Sequence, residues 1–240
     1  MSTAIPASAK QNNRLLARLT EADRGRITPL LRPETLAFDR VLYEARGPID
    51  HAYFPTGGVL SALTIMEDGG AIEVATVGNE GVVGPALAGG GKTSPHRMIV
   101  QIGGDALRID SRDFEREISR SASLREILFE YQSAFVSQVS QSVTCNGLHR
   151  LKQRCCRWLL MSRDRVGSDE LLLTHEYMAI MLGARRASVT EILRPLQDAG
   201  LIASRRGRIT ILDGAGLEAR TCECYRAVRD VYDRLLGPPG

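Results

Sequence analysis

Residues 173–202 read LTHEYMAIMLGARRASVTEILRPLQDAGLI, and this stretch decides the fold of the chain. Thr174 can cap a helix whose apolar residues recur at helical spacing as far as Leu182. Gly183 then allows a turn, because glycine adopts positive φ without steric cost. A second apolar stripe follows at Val189, Ile192, Leu193 and Leu196. The pattern predicts two helices joined by a tight turn.

The second helix separates its polar residues from its apolar stripe, and a basic hairpin follows it. After Gly200, residues 201–204 and 208–212 have strand-like patterns and flank an Arg-Arg-Gly turn. A winged helix-turn-helix uses the start of its second helix and its wing to meet base edges and phosphates. The predicted DNA-contacting residues are Thr174, Arg185, Arg186, Ser188, Thr190, Glu191, Arg194, Arg205, Arg206 and Arg208. The competing interpretation is a helical hairpin packed on a small sheet, with arginines that are only solvated.

The distribution of charge favours the DNA-binding interpretation. The net charge of the 240 residues is +3, but residues 1–147 hold 15 Lys and Arg against 17 Asp and Glu, whereas residues 148–240 hold 16 against 11. Residues 185–208 contain six arginines and only two acidic residues, Glu191 and Asp198. A basic half that coincides with the helix-turn-helix pattern suits a partner made of phosphates.

Neither a membrane segment nor a cysteine framework is indicated. No apolar run reaches the roughly 18 residues of a membrane helix, and the first residues lack an apolar signal core, so a cytoplasmic protein without a membrane partner is expected. The five cysteines show no C-x-x-C spacing, and Cys222-x-Cys224 is too tight for a usual zinc knuckle. We therefore expect four of the five to be buried or half-buried thiols, with no metal site and no cofactor.

The spacing of apolar residues changes twice along the N-terminal half, from helical to strand-like and then back to helical. A helix is predicted over residues 13–31, with Leu15, Leu16, Leu19 and Ile27 as its apolar stripe. Short strands separated by glycine turns are predicted at residues 41–43, 51–54, 59–65, 72–77, 98–102 and 106–109. Many short strands separated by glycine turns indicate a small antiparallel barrel or jelly roll.

A long helix is predicted after this β region. Residues on one face of this helix recur at alternating spacings of four and three, as in a coiled-coil seam: Leu124, Leu128, Tyr131, Phe135, Gln138, Ser142 and Cys145. The first six of these are predicted to form a homodimer interface, while a second stripe of Ile127, Val136, Val139 and Val143 packs on the strands. Asn146-Gly147 is the predicted hinge. Beyond it, one helix leads into the helix-turn-helix, and Asp213 caps a single last helix that reaches Leu236.

The order of barrel, long helix, hinge and winged helix-turn-helix resembles the Crp/Fnr family of bacterial transcription regulators. The likeness covers about residues 35–212 and is most specific in LTHEYMAIMLGARRASVTEIL and RRGRITIL. It implies an α+β fold with a cyclic-nucleotide-binding-like sensor domain (1–122), a dimerisation helix and hinge (123–147) and a winged helix-turn-helix domain with a C-terminal helix (148–240). The implied partners are a near-palindromic operator in double-stranded DNA, a second copy of the chain, RNA polymerase, and a small-molecule effector that the sequence does not identify.

The effector cassette departs from the pattern of the nucleotide-binding members. Where those members have a Gly-Glu pair, this chain has Gly84-Pro85, and the Arg-Ser or Arg-Thr end of the cassette is replaced by Ser94-Pro95-His96. Proline removes both a carboxylate and an N–H donor. We therefore expect no ordinary cyclic AMP binding. The loop Gly89-Gly90-Gly91-Lys92 remains either an anion site or a surface turn.

The recognition helix also departs from the family code. Arg186 keeps the geometry for a bidentate contact to guanine, but Glu191 stands where another base-contacting residue is expected and would accept a hydrogen bond from cytosine N4. An altered operator is expected. The sequence offers no catalytic triad or metal spacing, so an enzyme is not expected. The remaining alternative is an effector-binding sensor that acts mainly through protein–protein contact.

Overall fold

The computed structural model describes residues 13–237, which form two open antiparallel sheets, a long helix and a C-terminal domain with a small third sheet. The strands of the N-terminal part are β1 (Arg32–Leu36), β2 (Val41–Tyr43), β3 (His51–Pro55), β4 (Val59–Ile65), β5 (Ala71–Val77), β6 (Arg97–Ile102) and β7 (Gly104–Asp110). Their orders are β1-β7-β3 and β2-β6-β4-β5. The jelly-roll prediction is confirmed, but the sheets do not close into a barrel.

Strand β1 was missed from the sequence because Pro33 interrupts its pattern. Proline cannot donate to a ladder, so it is tolerated mainly at sheet edges. β1 pairs only with β7 and forms an edge of its sheet. Phe54 of β3 and Phe114, in the helix that follows β7, make an edge-to-face contact with their ring centroids 5.6 Å apart.

The predicted helix over residues 13–31 is wrong as a single element. It consists of α1 (Arg14–Ala17), α2 (Glu21–Ile27) and a 3-10 turn, Thr28–Leu30. The break falls at Thr20, whose hydroxyl accepts a hydrogen bond from the backbone N–H of Asp23 at 3.2 Å and starts α2. The predicted apolar stripe, Leu15, Leu16, Leu19 and Ile27, is nevertheless buried.

Helix α3 (Ser111–Arg120) leads into the 27-residue helix α4 (Ala122–Leu148), whose predicted faces are reversed. Gln138 donates to the carbonyl of Thr76 at 2.9 Å, and Tyr131 packs 6.5 Å from Tyr232 of the same chain. These residues are covered by their own chain, so the predicted dimer face is wrong. Its buried members are Leu124, Leu128, Tyr131, Gln138 and Ser142, while Phe135 is half-buried.

A different stripe of α4 faces solvent. Phe129, Val136 and Val143 are 71%, 61% and 65% exposed, and they recur every seven residues. Exposed small residues alternate with them, namely Ser133, Ser140 and Gly147. Val136 and Val143 were expected to pack on the strands, so this assignment is also wrong. Periodicity identified two faces of the helix but could not tell which of them the chain itself covers.

The predicted hinge is displaced by about one helical turn. Asn146 and Gly147 lie inside α4, and the helix breaks at His149 and Arg150, whose ψ angles of 146° and 149° are extended. Helix α5 (Leu151–Val166) starts after this break. The connection between the two parts of the chain is therefore two extended residues.

The C-terminal domain contains the predicted helix pair, together with three short strands and further helices. Its elements after α5 are β8 (Glu170–Leu171), α6 (His175–Leu182), α7 (Arg186–Asp198), β9 (Ile202–Arg205), β10 (Arg208–Ile211), α8 (Gly214–Glu218) and α9 (Cys224–Leu236). The third sheet has the order β8-β10-β9. Asp213 caps α8 by accepting from the N–H of Gly216 at 2.8 Å, but this helix ends at Glu218, so the single last helix is wrong. Within residues 13–237, no helix is both long and apolar enough to cross a membrane.

Candidate nucleic-acid interface

The two helices of the motif are held by local capping and by a shared core. Thr174 accepts a hydrogen bond from the backbone N–H of Tyr177 at 3.1 Å and starts α6. Gly183 ends α6 in the left-handed region at φ 57°. Val189 and Leu193 of α7 are 0% and 1% exposed, so one side of this helix is buried and the opposite side is free.

The free side of α7 and the wing form one arginine-rich surface. The side chain of Arg186 is 70% exposed, and its Nε lies 3.8 Å from a carboxylate oxygen of Glu176. Arg185 occupies the N-cap position, so both arginines stand at the first turn as predicted. The predicted residues that face solvent are Thr174, Arg185, Arg186, Thr190, Glu191, Arg194, Arg205, Arg206 and Arg208, and Ser188 is half-buried.

The wing is a tight β-hairpin. Arg206 and Gly207 connect β9 to β10 and have φ angles of 46° and 77°. Two successive residues with positive φ are typical of the turn that matches the right-handed twist of paired strands. Arg208 on β10 pairs with Glu170 of β8, a strand that the sequence did not reveal because only two of its residues pair. This ion pair leaves Arg205 and Arg206 at the tip.

His175 links the recognition helix to the wing and was missed in the sequence. Its Nδ1 lies 3.0 Å from the hydroxyl of Thr190 on α7, and its Nε2 lies 3.1 Å from that of Ser204 on β9. Burial, together with the nearby Arg186, lowers the pKa of His175, so the neutral ring is favoured at neutral pH. A neutral imidazole donates through one nitrogen and accepts through the other, which fits a bridge between two hydroxyl groups.

Comparison with known proteins agrees with this geometry. A model of the Crp-like helix-turn-helix domain matches residues 153–220. The transcriptional regulator SdrP of Thermus thermophilus is 25% identical over 195 residues, which cover 77% of this chain and 93% of that protein. Residues 153–220 therefore form a Crp-like helix-turn-helix domain, and the chain as a whole is similar to a transcriptional regulator.

Solved structures of other proteins share the fold of this chain. FixK2 from Bradyrhizobium japonicum superposes with a TM-score of 0.68 at 15% identity, covering 80% of this chain and 98% of that chain. TTHB099, a CRP-family transcriptional regulator from Thermus thermophilus, superposes with a TM-score of 0.64 at 20% identity, covering 78% and 95%. The jelly-roll sheets, the long helix and the helix-turn-helix domain therefore form a fold that these solved structures share.

Buried polar contacts join the N-terminal sheets to the helix-turn-helix domain. Glu80, just after β5, pairs with Arg165 of α5 at 2.8 Å, and both side chains are 7% exposed. Arg165 also donates to Gln138 of α4 at 2.8 Å. Breaking a buried pair leaves an uncompensated charge, so this contact fixes the relative position of three segments.

The carboxyl group of Glu73 makes a second buried contact at the same junction, and its pKa is shifted. Glu73 of β5 accepts from the indole N–H of Trp158 on α5 at 2.9 Å and from the hydroxyl of Ser61 at 2.7 Å. Burial raises the pKa of Glu73 to about 7, although these two hydrogen bonds oppose the change. The contact between β5 and α5 is therefore sensitive to protonation near neutral pH.

A pocket of about 410 Å³ lies between the N-terminal sheets and α4. Val83, Met98, Phe135 and Val139 are among its apolar lining residues. Its lining contains no Lys, Arg, Asp or Glu within the described residues 13–237. Burial lowers the pKa of His96, the one titratable nitrogen base in this lining, so it is neutral at pH 7.

The cassette residues lie at this pocket without forming an anion site. Gly84 has φ 96° and is followed by Pro85, which starts a 3-10 turn (Pro85–Gly89) and lacks the N–H donor. Arg97 is not among the lining residues, and its Nε lies 3.4 Å from a carboxylate oxygen of Glu44. Lys92 is exposed at the surface.

One group of side chains in the described part of the chain could hold a metal ion. The ligand atoms of Cys145, His149, Cys222 and Cys224 all lie within 4.8 Å of one another. Reasoning from spacing missed this group because 73 residues separate its two halves. The available signal was local: Cys145 and His149 are four residues apart and so share one face of a helix.

Proposed function

We propose that this Crp/Fnr-type chain is a dimeric, sequence-specific DNA-binding regulator that does not respond to cyclic AMP through the usual phosphate cassette. The observation that carries the proposal is the exposed arginine surface formed by α7 and the wing. Arg186 is the candidate for a bidentate contact to guanine, and Glu191 for a contact to cytosine. Arg205 and Arg206 at the wing tip are candidates for phosphate contacts. RNA polymerase is a proposed partner by family resemblance.

The proposed dimer forms through the exposed stripe of α4. Phe129, Val136 and Val143 occupy equivalent positions of a seven-residue repeat, and the alternate positions hold Ser or Gly. Large residues alternating with small ones suit a second copy of the same helix, because each side chain can pack into the space left by a small residue. A methyl group added to Gly147 would meet nothing within 4 Å in the single chain. A two-fold dimer sets two recognition helices about 34 Å apart, one turn of DNA.

The pocket supports the proposed lack of a cyclic AMP response. A cyclic phosphate carries a negative charge, and burying it requires a paired cation or several N–H donors. The pocket lining provides apolar side chains and Pro85 instead. An uncharged, largely apolar molecule fits this lining better than a nucleotide does, and we propose that class for any effector.

The proposed domain division is a sensor domain up to residue 122, a dimerisation helix, and a DNA-binding domain after the break at His149 and Arg150. Signal passes between them through direct contacts as well as through this break. A Cβ added to Gly183, in the turn of the motif, would lie 3.0 Å from Ile72 of β5. The rings of Phe38 and Tyr177 have centroids 5.0 Å apart. A change in the sheets therefore acts directly on α6 and on the orientation of α7.

The test of DNA recognition compares two arginine variants on a preferred operator, selected from a random DNA pool, and on a scrambled duplex. Arg186→Ala should weaken operator binding by about 1–3 kcal/mol and relax the sequence preference. Arg206→Ala should weaken both duplexes alike and reduce the salt dependence. Arg226→Ala is the matched control, because Arg226 is 75% exposed but lies on α9. Unchanged specificity in Arg186→Ala would refute the proposed role.

The test of the effector pocket is calorimetry of the purified dimer with cyclic AMP. No binding is expected at millimolar concentration, and operator affinity should stay the same when cyclic AMP is added. Saturable binding that is abolished by Val83→Trp, a change that fills the pocket, would contradict the proposal. Retention of sequence preference as salt rises separates a regulator from the alternative, a sensor acting mainly through protein contact with incidental DNA affinity.

A further inference from the structure

Four metal-ligand side chains meet where α4, α5 and α9 come together. Cys145 and His149 stand one turn apart at the end of α4, Cys222 lies in the link before α9, and Cys224 is the first residue of α9. We propose that these four residues form a tetrahedral Cys3His site for a zinc ion that fastens the C-terminal helix to the dimerisation helix.

The separations of the ligand atoms fit a single ion. Zinc binds thiolate sulfur at about 2.3 Å and imidazole nitrogen at about 2.0–2.1 Å, so tetrahedral ligand atoms lie about 3.5–3.8 Å apart. The sulfur atoms of Cys145 and Cys222 are 3.5 Å apart, and Nδ1 of His149 lies 3.4 Å from the sulfur of Cys224. All four atoms are within 4.8 Å of one another. The arrangement needs only small side-chain adjustments to surround one ion.

The histidine is oriented as a metal ligand is. Its Nδ1 points at the cysteine group, while its Nε2 lies 3.3 Å from a carboxylate oxygen of Glu223. Metal-binding histidines generally donate the other ring N–H to a carboxylate or carbonyl, which fixes the tautomer and raises the basicity of the ligand nitrogen. The neighbouring Glu223 therefore supplies the outer contact that such a site requires.

The surroundings favour negative charge on the sulfur atoms. Three thiolates and one neutral imidazole around Zn²⁺ carry a net charge of −1. Gln141 donates its side-chain N–H to the sulfur of Cys224 at 3.0 Å. The buried Arg157 donates to Ser142 at 3.0 Å, and its Nε has no hydrogen-bond partner within residues 13–237. Ser142 precedes Cys145 by about one helical turn, so the buried guanidinium beside it offsets part of the charge of the complex.

Free thiols are a poorer account of the same cluster. Cysteine thiols that bind no metal are mostly protonated and uncharged at neutral pH. Uncharged thiols also gain less from the nearby positive charge of Arg157 than three zinc-bound thiolates do. Zinc binding would instead displace about three thiol protons, as thiolate ligation requires.

The position of the site gives it a structural consequence. His149 is one of the two extended residues between α4 and α5, and α9 lies beyond the region matched by the helix-turn-helix family model. A metal bound by both segments would hold that connection and the start of α9 in one arrangement. Removing the metal should therefore loosen the packing of α9 on α4.

The first experiment measures metal content and coordination in the full-length chain, purified under reducing conditions without added chelator. We expect about one zinc per protomer, released with proton uptake on acidification. Replacement by Co²⁺ should give the visible bands of tetrahedral cobalt and the near-ultraviolet bands of thiolate–cobalt charge transfer. A folded protein that contains no zinc and gives an octahedral cobalt spectrum would overturn the proposal. A Cys145–Cys222 disulfide that persists in protein purified under reducing conditions would also overturn the proposal.

Variants then assign the ligands. Cys222→Ser and His149→Ala should lose the stoichiometric zinc, whereas Cys155→Ala, which removes a buried thiol of α5 outside the cluster, should retain it. Glu223→Gln should keep the tetrahedral cobalt spectrum but weaken zinc affinity by roughly 10- to 100-fold in chelator competition. If Cys222→Ser does not fold, the cobalt spectrum of the unchanged chain still decides the question. Zinc retained at full affinity by both ligand variants would show that the ion lies elsewhere and contradict the assignment.

Discussion

Replacing Val143 by Glu tests the dimer face that the sequence alone assigned wrongly. Val143 is 65% exposed in the single chain. Full burial of a valine side chain contributes about 1.5–3 kcal/mol, so covering this exposed fraction contributes about 1–2 kcal/mol in each protomer. Two copies therefore contribute about 2–4 kcal/mol to association, which corresponds to roughly a 30- to 700-fold change in the dimer dissociation constant. Two facing carboxylates add repulsion to this loss.

Sedimentation equilibrium over a range of protein concentrations measures the effect. The matched control is Thr144→Glu, which introduces the same charge at an exposed neighbouring position about 100° around the helix. Circular dichroism should show that both variants keep the fold, because neither position is buried. Equal dimer dissociation constants for Val143→Glu and Thr144→Glu would refute the proposed seam.

Three further changes test other contacts. Glu73→Gln should remove a pH-dependent loss of stability. The pKa of Glu73 is about 7 in the folded chain and 4.5 ordinarily, so between these pH values the folded chain keeps a proton that the unfolded chain releases. The free energy of unfolding of the wild type, relative to that of the variant, should therefore fall from about pH 4.5 to 7, as urea unfolding across that range can show. Thr174→Ala should lower the free energy of unfolding by about 0.5–2 kcal/mol through loss of the α6 cap, and an unchanged urea midpoint would count against the cap. Glu80→Ala should cost about 3–5 kcal/mol because it leaves Arg165 buried without its partner, and a thermal midpoint equal to wild type would contradict that reading of the ion pair.

Local signals predicted the DNA-binding motif well. Thr174 caps α6, Gly183 ends it, and the buried stripe of Val189, Leu193 and Leu196 packs as its spacing indicates. Each of these features depends on residues within one turn or one helix. The strand bounds were also close, because glycine turns and alternating apolar residues are local as well. The sequence was therefore sufficient wherever a few neighbouring residues set the conformation.

Contacts between distant segments were not predictable in the same way. Helix α4 has two apolar faces, and only the placement of β5 and α9 shows that Tyr131 and Gln138 are covered by their own chain. The break at His149 could not be inferred from Asn146-Gly147, because a glycine inside a long packed helix can remain helical. The group of cysteines depends on a link that returns α9 to the end of α4, which no local spacing reveals.

The proposed regulator requires two copies of α7 to bind one operator. Footprinting of the wild-type protein on an operator selected from a random pool tests this claim most directly. We expect two protected half-sites, related by two-fold symmetry, with centres about 10 base pairs apart. A single unsymmetrical protected site, or a pool that yields no preferred sequence, would contradict the proposed function.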